Sequence, residues 1–220
     1  MSLCALLFFL SSFAPLSPEA RAHPITFEDG VALSLTQQPG MTLWYGNYSL
    51  SSSLSLGVDY MRFGEEASTL GLGRINYLAK RWLGIGRQGN LYLFGGAGLA
   101  DWSADEAPSG QGQGWAWMYG LQADFETRRI YTALITRWVG HAQGGWERPP
   151  LQALYRFGVA PYLAKTNELQ AWFVAQLTRH RTQDGPPTLT LLMRIFMKTA
   201  MWELGADTEG RPWLHLMAHF

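Results

Sequence analysis

Charged side chains recur on one face of the alternating segments of this sequence. The candidates for an interior polar surface are Asp59, Arg74, Asp124, Glu126, Arg137, Arg156, Arg194 and Glu203, with Lys198 beside them. Acids and bases on a shared interior face can pair with each other and fill a narrow space. They can also line a water-filled pore and orient polar solutes. Bases outnumber acids in this set by only five to four, so the set does not favour anions.

A second group with ligand chemistry lies near the end of the chain, where His215, Met217 and His219 alternate on one face. Imidazole and thioether groups suit copper ions. Alternate positions of an extended strand stand about 7 Å apart, which is wide for one ion. We therefore predict that these side chains pack in the interior, that no metal is bound and that no cofactor is needed. A copper site at these three residues is the alternative.

Hydrolytic chemistry would need a serine and a histidine at the rim of the fold. His141 and His180 end two predicted strands, and Ser103 and Ser109 lie in a nearby loop. The sequence has no Gly-x-Ser-x-Gly nucleophile turn. We predict no enzymatic activity and keep a rim hydrolase acting on lipid as a minor alternative.

Strict alternation of apolar and polar or small residues must position these groups. From Trp115 to Phe125 the odd positions are all apolar and mostly large, while the even positions are mostly small or polar. A period of two indicates a strand with one apolar face. Similar stretches predict about twelve strands, with ten as an alternative because the first is the weakest: 31–37, 41–49, 53–63, 68–80, 89–102, 114–126, 129–141, 151–161, 168–180, 187–197, 200–207 and 211–220.

The connections between these segments differ in length in a regular way. If both termini are periplasmic, gaps after odd-numbered strands are extracellular, and the longest gaps, 103–113 and 142–150, fall there. Very short turns at Thr127-Arg128 and Lys198-Thr199 fall on the other side. The gap 81–88 breaks the rule because it is long on the periplasmic side. The pattern predicts an all-β fold, a closed antiparallel up-and-down transmembrane barrel.

Composition agrees with a wall that faces lipid. The 220-residue chain is 47% hydrophobic and only 15% charged, against about 25% charged in soluble domains. A net charge of zero and the lack of a basic stripe argue against a nucleic-acid partner. Aromatic residues near segment ends, among them Trp44, Trp115 and Trp172, predict girdles at the membrane interfaces.

The first residues are typical of an export signal. Leu3 to Phe13 is apolar, and Ala20-Arg21-Ala22 precedes a predicted cleavage before His23, although no Lys or Arg precedes the apolar run. We predict a signal peptide at 1–22 and one barrel domain at 23–220. No later uncharged apolar run is long enough for a membrane helix, so the remaining options are a spanning barrel and a soluble, lipocalin-like periplasmic barrel.

Several short sequence segments resemble those of a known protein family. They are His23-Pro24-Ile25, Lys80-Arg81-Trp82, 123–128, Val159-Ala160-Pro161-Tyr162, Ala171-Trp172-Phe173 and Trp202-Glu203-Leu204-Gly205. The chain resembles an uncharacterised proteobacterial outer-membrane β-barrel family, similar in size to small twelve-stranded outer-membrane channels. The amphipathic last strand ending in Phe220 looks like the segment that the barrel assembly machinery reads. The resemblance implies the fold and the outer membrane, and supplies no catalytic residues.

Taken together, these patterns predict an outer-membrane barrel that forms a narrow passive channel for small polar solutes or ions. Its expected partners are outer-membrane lipids, the barrel assembly machinery and a small polar solute or ion. The principal alternative is a closed barrel that serves as a structural or surface-interaction scaffold through the loops 103–113 and 142–150.

Overall fold

Twelve β-strands make up the regular structure. The computed structural model describes residue 25 and residues 27–63, 68–102, 112–141, 151–164, 168–180 and 186–220. In chain order the strands are β1 Val31–Gln38, β2 Met41–Ser49, β3 Leu54–Phe63, β4 Ser68–Gly84, β5 Arg87–Trp102, β6 Gly112–Thr127, β7 Ile130–His141, β8 Leu151–Val159, β9 Gln170–His180, β10 Thr188–Met197, β11 Ala200–Asp207 and β12 Pro212–His219. Among these described residues, no helix is long and apolar enough to cross a membrane.

Each strand pairs with its chain neighbours, and the first pairs with the last. β1 is antiparallel to both β2 and β12, which closes the sheet into a barrel. The seam continues past β12, because Val31 and Phe220 exchange backbone hydrogen bonds of 3.0 and 2.9 Å. The predicted closed antiparallel barrel is therefore confirmed with twelve strands, and the ten-strand alternative is wrong.

The longest hairpin corrects the predicted gap at 81–88. β4 continues to Gly84 and β5 begins at Arg87, so only Ile85 and Gly86 form the turn. Gly86 has a φ of 67°, a conformation that glycine adopts readily. A bulge between Leu78 and Lys80 shifts the pairing by one residue. This shift breaks the period of two, which is why the sequence pattern ends before the strand does.

The other turns follow the prediction closely. Lys198, with a φ of 54°, and Thr199 join β10 to β11. The β6–β7 turn lies at Arg128-Arg129, one residue later than predicted, where the Thr127 hydroxyl accepts the Ile130 N–H at 2.9 Å. The predicted long gap 142–150 and residues 103–111 of the gap 103–113 lie outside the described residues. The same holds for residues 181–185 between β9 and β10 and for the predicted signal peptide at 1–22.

The outer face of the barrel exposes large apolar side chains on strand after strand. Val58 is 66% exposed, Leu99 60% and Trp115 66%. One exposed apolar residue from each of β1 to β11 illustrates the belt: Leu33, Trp44, Val58, Ile75, Leu93, Trp115, Leu134, Phe157, Phe173, Leu191 and Leu204. Trp172 does not belong to it, because its side chain is only 6% exposed and points inward. The girdle prediction for Trp172 is therefore wrong.

The inner face combines two apolar clusters with polar groups. One cluster gathers buried residues of β2 to β7, including Leu43, Met61 and Met118. The second gathers residues of β7 to β12, including Tyr131, Trp172 and Trp213. Charged and amide side chains occupy the remaining inward positions, and these groups form the candidate site.

Candidate functional site

The largest polar group inside the barrel is centred on Glu203 of β11. Arg156 of β8 donates from Nη1 to both carboxylate oxygens, at 3.2 and 3.1 Å. Arg194 of β10 donates from Nε to Oε1 at 2.6 Å, and His215 of β12 places Nδ1 at 3.0 Å from Oε2. Glu203 is fully buried. We call Glu203, Arg156, Arg194 and His215 the Glu203 cluster.

Register and aromatic contacts hold this cluster. Glu203 lies directly opposite Arg194 on one neighbouring strand and His215 on the other. The Arg194 guanidinium lies 4.4 Å from the ring centre of Tyr131, and the Arg156 guanidinium lies 5.8 Å from that of Trp213. Cation–π contact of this kind stabilises a desolvated guanidinium. Because Arg156 is on β8 and Trp213 on β12, the cluster spans the interior from one part of the wall to another.

A second group surrounds Arg74 of β4. Its Nη1 lies 3.1 Å from Oδ2 of Asp59 on β3, and its guanidinium lies 4.1 Å from the ring centre of Tyr45. Arg137 of β7, which is half-buried, interacts electrostatically with both Asp59 and Arg74. Asn47 hydrogen-bonds to the Tyr45 hydroxyl. This group therefore holds two arginines against one carboxylate.

Room for these side chains comes from glycine in the facing positions. Gly57 lies opposite both Asn47 and Arg74, and a Cβ built on it would overlap Oδ1 of Asn47 and lie 2.6 Å from the Gly46 carbonyl oxygen. The side chains beside Gly57 are already fixed, because Asn76 donates to Asn47 at 3.1 Å and to Ser55 at 3.0 Å. A side chain at position 57 would have to displace this network.

We expect Gly57→Val to lower the free energy of unfolding by about 1–3 kcal/mol, the usual cost of overpacking. Urea titration of the refolded protein measures it. Gly71→Val in β4 is the matched control, because a Cβ there meets nothing within 4 Å. Equal effects at the two positions would show that the loss of glycine itself, rather than the displaced network, causes the change.

The third polar group surrounds Asp124 of β6. Asn90 donates to Oδ1 of Asp124 at 2.7 Å, and Gln122 donates to Oδ2 at 3.2 Å. Arg81 of β4 donates to Oδ1 of Asn90 at 2.9 Å. The sequence analysis missed Arg81, because the bulge before Lys80 inverts the facing of the residues that follow. Arg81, Asn90 and Asp124 are therefore linked by hydrogen bonds across three neighbouring strands.

A cavity of about 580 Å³ opens at the end of the barrel where β1 begins and β12 ends. We call it the vestibule. Arg194, Tyr131 and Trp172 belong to its lining, so the cavity reaches the Glu203 cluster. Its other polar lining residues come mainly from the turns and strand ends and include Arg87, Glu126, Arg128, Glu168 and Lys198. The long β8–β9 connection contributes Leu163 and Ala164.

The structure buries six of the eight predicted interior charges, namely Asp59, Arg74, Asp124, Arg156, Arg194 and Glu203. It brings three of them together at Glu203 and places Asp59, Arg74 and Arg137 in another group. Glu126 is half-buried and lines the vestibule. The role of these residues in lining a passage stays a prediction. Gln176 accepts a hydrogen bond from Arg156 at 2.8 Å. The sequence analysis did not name it as an interior residue, although it lies on the same face of β9 as Trp172.

The histidines of β12 pair with neighbouring side chains. His215 contacts Glu203, and Nε2 of His219 lies 3.1 Å from Sδ of Met217. Within the described ranges, no group of three or more His, Cys, Asp or Glu side chains is arranged to hold a metal ion. The proposed hydrolytic residues Ser103 and Ser109, and the side chains of His141 and His180, lie outside the described part of the chain.

No family model and no curated protein matches the sequence. Among solved structures, the chain is similar to a KdgM porin in complex with disordered oligogalacturonate, with 8% identity, a TM-score of 0.49, and coverage of 87% of this chain and 98% of that chain. It is also similar to a structure of the KdgM porin, with 9% identity and the same TM-score and coverage. The class of the protein follows from its own geometry, which is that of a closed twelve-stranded antiparallel β-barrel. Its interior combines two apolar clusters with paired charges.

Proposed function

We propose that this chain is an outer-membrane protein whose outer wall contacts lipid. The support is the belt of exposed apolar side chains on β1 to β11, of which Val58 and Trp115 are each 66% exposed. Soluble monomers rarely expose continuous apolar patches larger than a few hundred Å². Lipid-facing walls of membrane barrels show this inverted arrangement, with apolar residues outside and polar residues inside. We also propose the predicted export through a signal peptide at 1–22, assembly by the barrel machinery and membership of a proteobacterial barrel family.

Within that membrane, we propose a narrow channel for small polar solutes or ions. The observation that carries this proposal is the vestibule, which opens at one end and reaches Arg194 of the Glu203 cluster. Paired charges along a lumen can replace part of the hydration shell of a polar solute. In this proposal the Glu203 cluster forms the constriction, because it joins β8, β10, β11 and β12 across part of the interior.

Planar-bilayer recording tests the channel. We expect the purified protein to conduct, and we expect Arg156→Ala/Arg194→Ala/Glu203→Ala to give a larger single-channel conductance. Removing all three charged groups together leaves no buried charge without its partner, which favours folding of the variant. Arg62→Ala, at an exposed position of β3, is the control and should conduct as the parent protein does. Silence of the folded parent protein would refute the channel, whatever the triple variant does.

One observation favours the closed-barrel alternative. The interior side chains of Glu203, Gln176 and Asp59 are 0%, 0% and 2% exposed, which is the burial of a packed core. A sealed barrel predicts that the parent protein is silent in the bilayer and that the triple variant conducts. The same pair of recordings therefore distinguishes an open constriction from a closed plug.

A further inference from the structure

The group around Arg74 carries more positive charge than its own residues neutralise. Arg74 and Arg137 stand against the single carboxylate of Asp59, with the hydroxyl of Tyr45 beside them. No other acid among the described residues forms an ion pair with either arginine. Asp59 is 2% and Arg74 is 7% exposed, so bulk water screens the excess poorly. Because a buried charge is costly unless an opposite charge compensates it, the group needs one further negative charge.

Hydrogen-bond donors are also left over in this group. In the Glu203 cluster both guanidiniums donate to the one carboxylate. Around Asp59 only Arg74 is within ion-pair distance, and the Arg137 side chain makes no hydrogen bond or ion pair with any described residue. The Nε atoms of Arg74 and Arg137 are both buried without an acceptor. A guanidinium only donates, so the missing partner must accept hydrogen bonds. If Arg137 turned to the free oxygen of Asp59, the excess charge would remain.

The wall between the two arginines is made of glycine and an aromatic ring. Gly96 of β5 lies opposite Arg74, and Gly120 of β6 lies opposite Arg137. The ring of Phe94 covers Gly120 and lies 5.8 Å from the Arg74 guanidinium. The wall therefore adds no charge of its own between the two guanidiniums. A small ion fits such a packed place better than a branched or multiply charged one.

We propose that one small monovalent anion, such as chloride, binds inside the barrel between Arg74 and Arg137. A single negative charge balances the two arginines and Asp59, whereas a dianion would reverse the excess. The anion accepts hydrogen bonds from the guanidinium donors that the protein leaves unused. Binding requires neither an open lumen nor conduction, so this inference goes beyond the channel and stands or falls independently of it.

Urea-induced unfolding in lipid vesicles tests the binding, with chloride replacing the bulky anion gluconate at constant ionic strength. A ligand that binds only the folded state raises the folding equilibrium constant in proportion to its concentration near saturation, so a tenfold rise in chloride should raise it about tenfold. Arg137→Gln leaves the Asp59–Arg74 pair balanced, which favours folding, and should lose this dependence on chloride. Arg62→Gln removes the same charge from an exposed position of β3 and should keep it. Equal dependence in the parent and in Arg137→Gln would overturn the proposal.

Crystals of the protein grown in sodium bromide test the location, because bromide substitutes for chloride and scatters anomalously. We expect an anomalous-difference peak between the guanidiniums of Arg74 and Arg137 in the parent protein and in Arg62→Gln. The same place should carry no peak in Arg137→Gln. A parent map with only water between the two arginines, or with Arg137 paired to Asp59 and no bromide beside them, would overturn the proposal.

Discussion

Replacing Glu203 by Gln is expected to lower the free energy of unfolding by about 3–5 kcal/mol, the range measured when one partner of a buried ion pair is removed. The carboxylate accepts from Arg156 and Arg194 and contacts His215. The amide of Gln carries no charge, so two guanidinium groups would remain buried without an anion. Desolvation of an uncompensated charge is the physical reason for the large effect.

Urea-induced unfolding of the protein in lipid vesicles, followed by the shift of the folded band on unheated gels, measures this loss. Glu209→Gln is the matched control, because Glu209 also pairs with an arginine, Arg211, at 3.1 Å, but is 66% exposed. Exposed pairs contribute about 0–1 kcal/mol. A loss at Glu203 no greater than that at Glu209 would mean that water reaches the Glu203 cluster, which would also support an open lumen.

The second large effect is expected on the outer wall, where Val58→Arg should destabilise the barrel in a bilayer by about 2–4 kcal/mol. Val58 lies in the middle of β3 and is 66% exposed on the outer face. Its partners on the two neighbouring strands are Gly46 and Gly73, so a longer side chain has room. The cost therefore comes from placing a guanidinium in hydrocarbon rather than from crowding.

The measurement compares the free energy of unfolding of Val58→Arg with that of Ile85→Arg. Ile85 is fully exposed in the β4–β5 turn, beyond the wall, and its substitution should cost little. The soluble, lipocalin-like alternative makes the opposite prediction, because Val58 would then face water and accept arginine at almost no cost. Equal stability of the two variants would therefore remove the proposal that this wall contacts lipid.

Many interior residues could be predicted, because the face of the sheet on which a side chain lies depends only on local strand geometry. Successive side chains of a strand point to opposite faces, so parity alone assigned Arg156, Arg194 and Glu203 to one side of their strands. The same rule failed at Arg81, because the extra residue in the preceding β-bulge moved the following side chains to the opposite face of the strand. Parity also placed Trp172 on the buried face that contains Val174 and Gln176, but its position near a strand end led to the wrong girdle assignment.

The pairing partners could not be predicted in the same way. Arg156 and Glu203 are on β8 and β11, three strands apart, and 47 residues separate them in the chain. Their contact depends on closure of the sheet and on the stagger of each strand against the next, which together set the depth of a side chain in the barrel. Neither the alternation of residue types nor the composition predicts how deep in the barrel a side chain lies. The Asp59–Arg74 contact is closer in topology, since it joins the adjacent strands β3 and β4, yet it also needed the register.

By itself, the sequence determined the all-β class and the apolar outer face, because these follow from a period of two that is repeated along the chain, and it left the strand number between ten and twelve. Only the tertiary structure decided that the interior charges divide into separate groups around Glu203, Arg74 and Asp124, and that a vestibule opens beside the first of them. The physical reason is that a buried charge must find its partner in space. In a closed barrel, the residues that meet inside are chosen by the curvature and stagger of the whole wall.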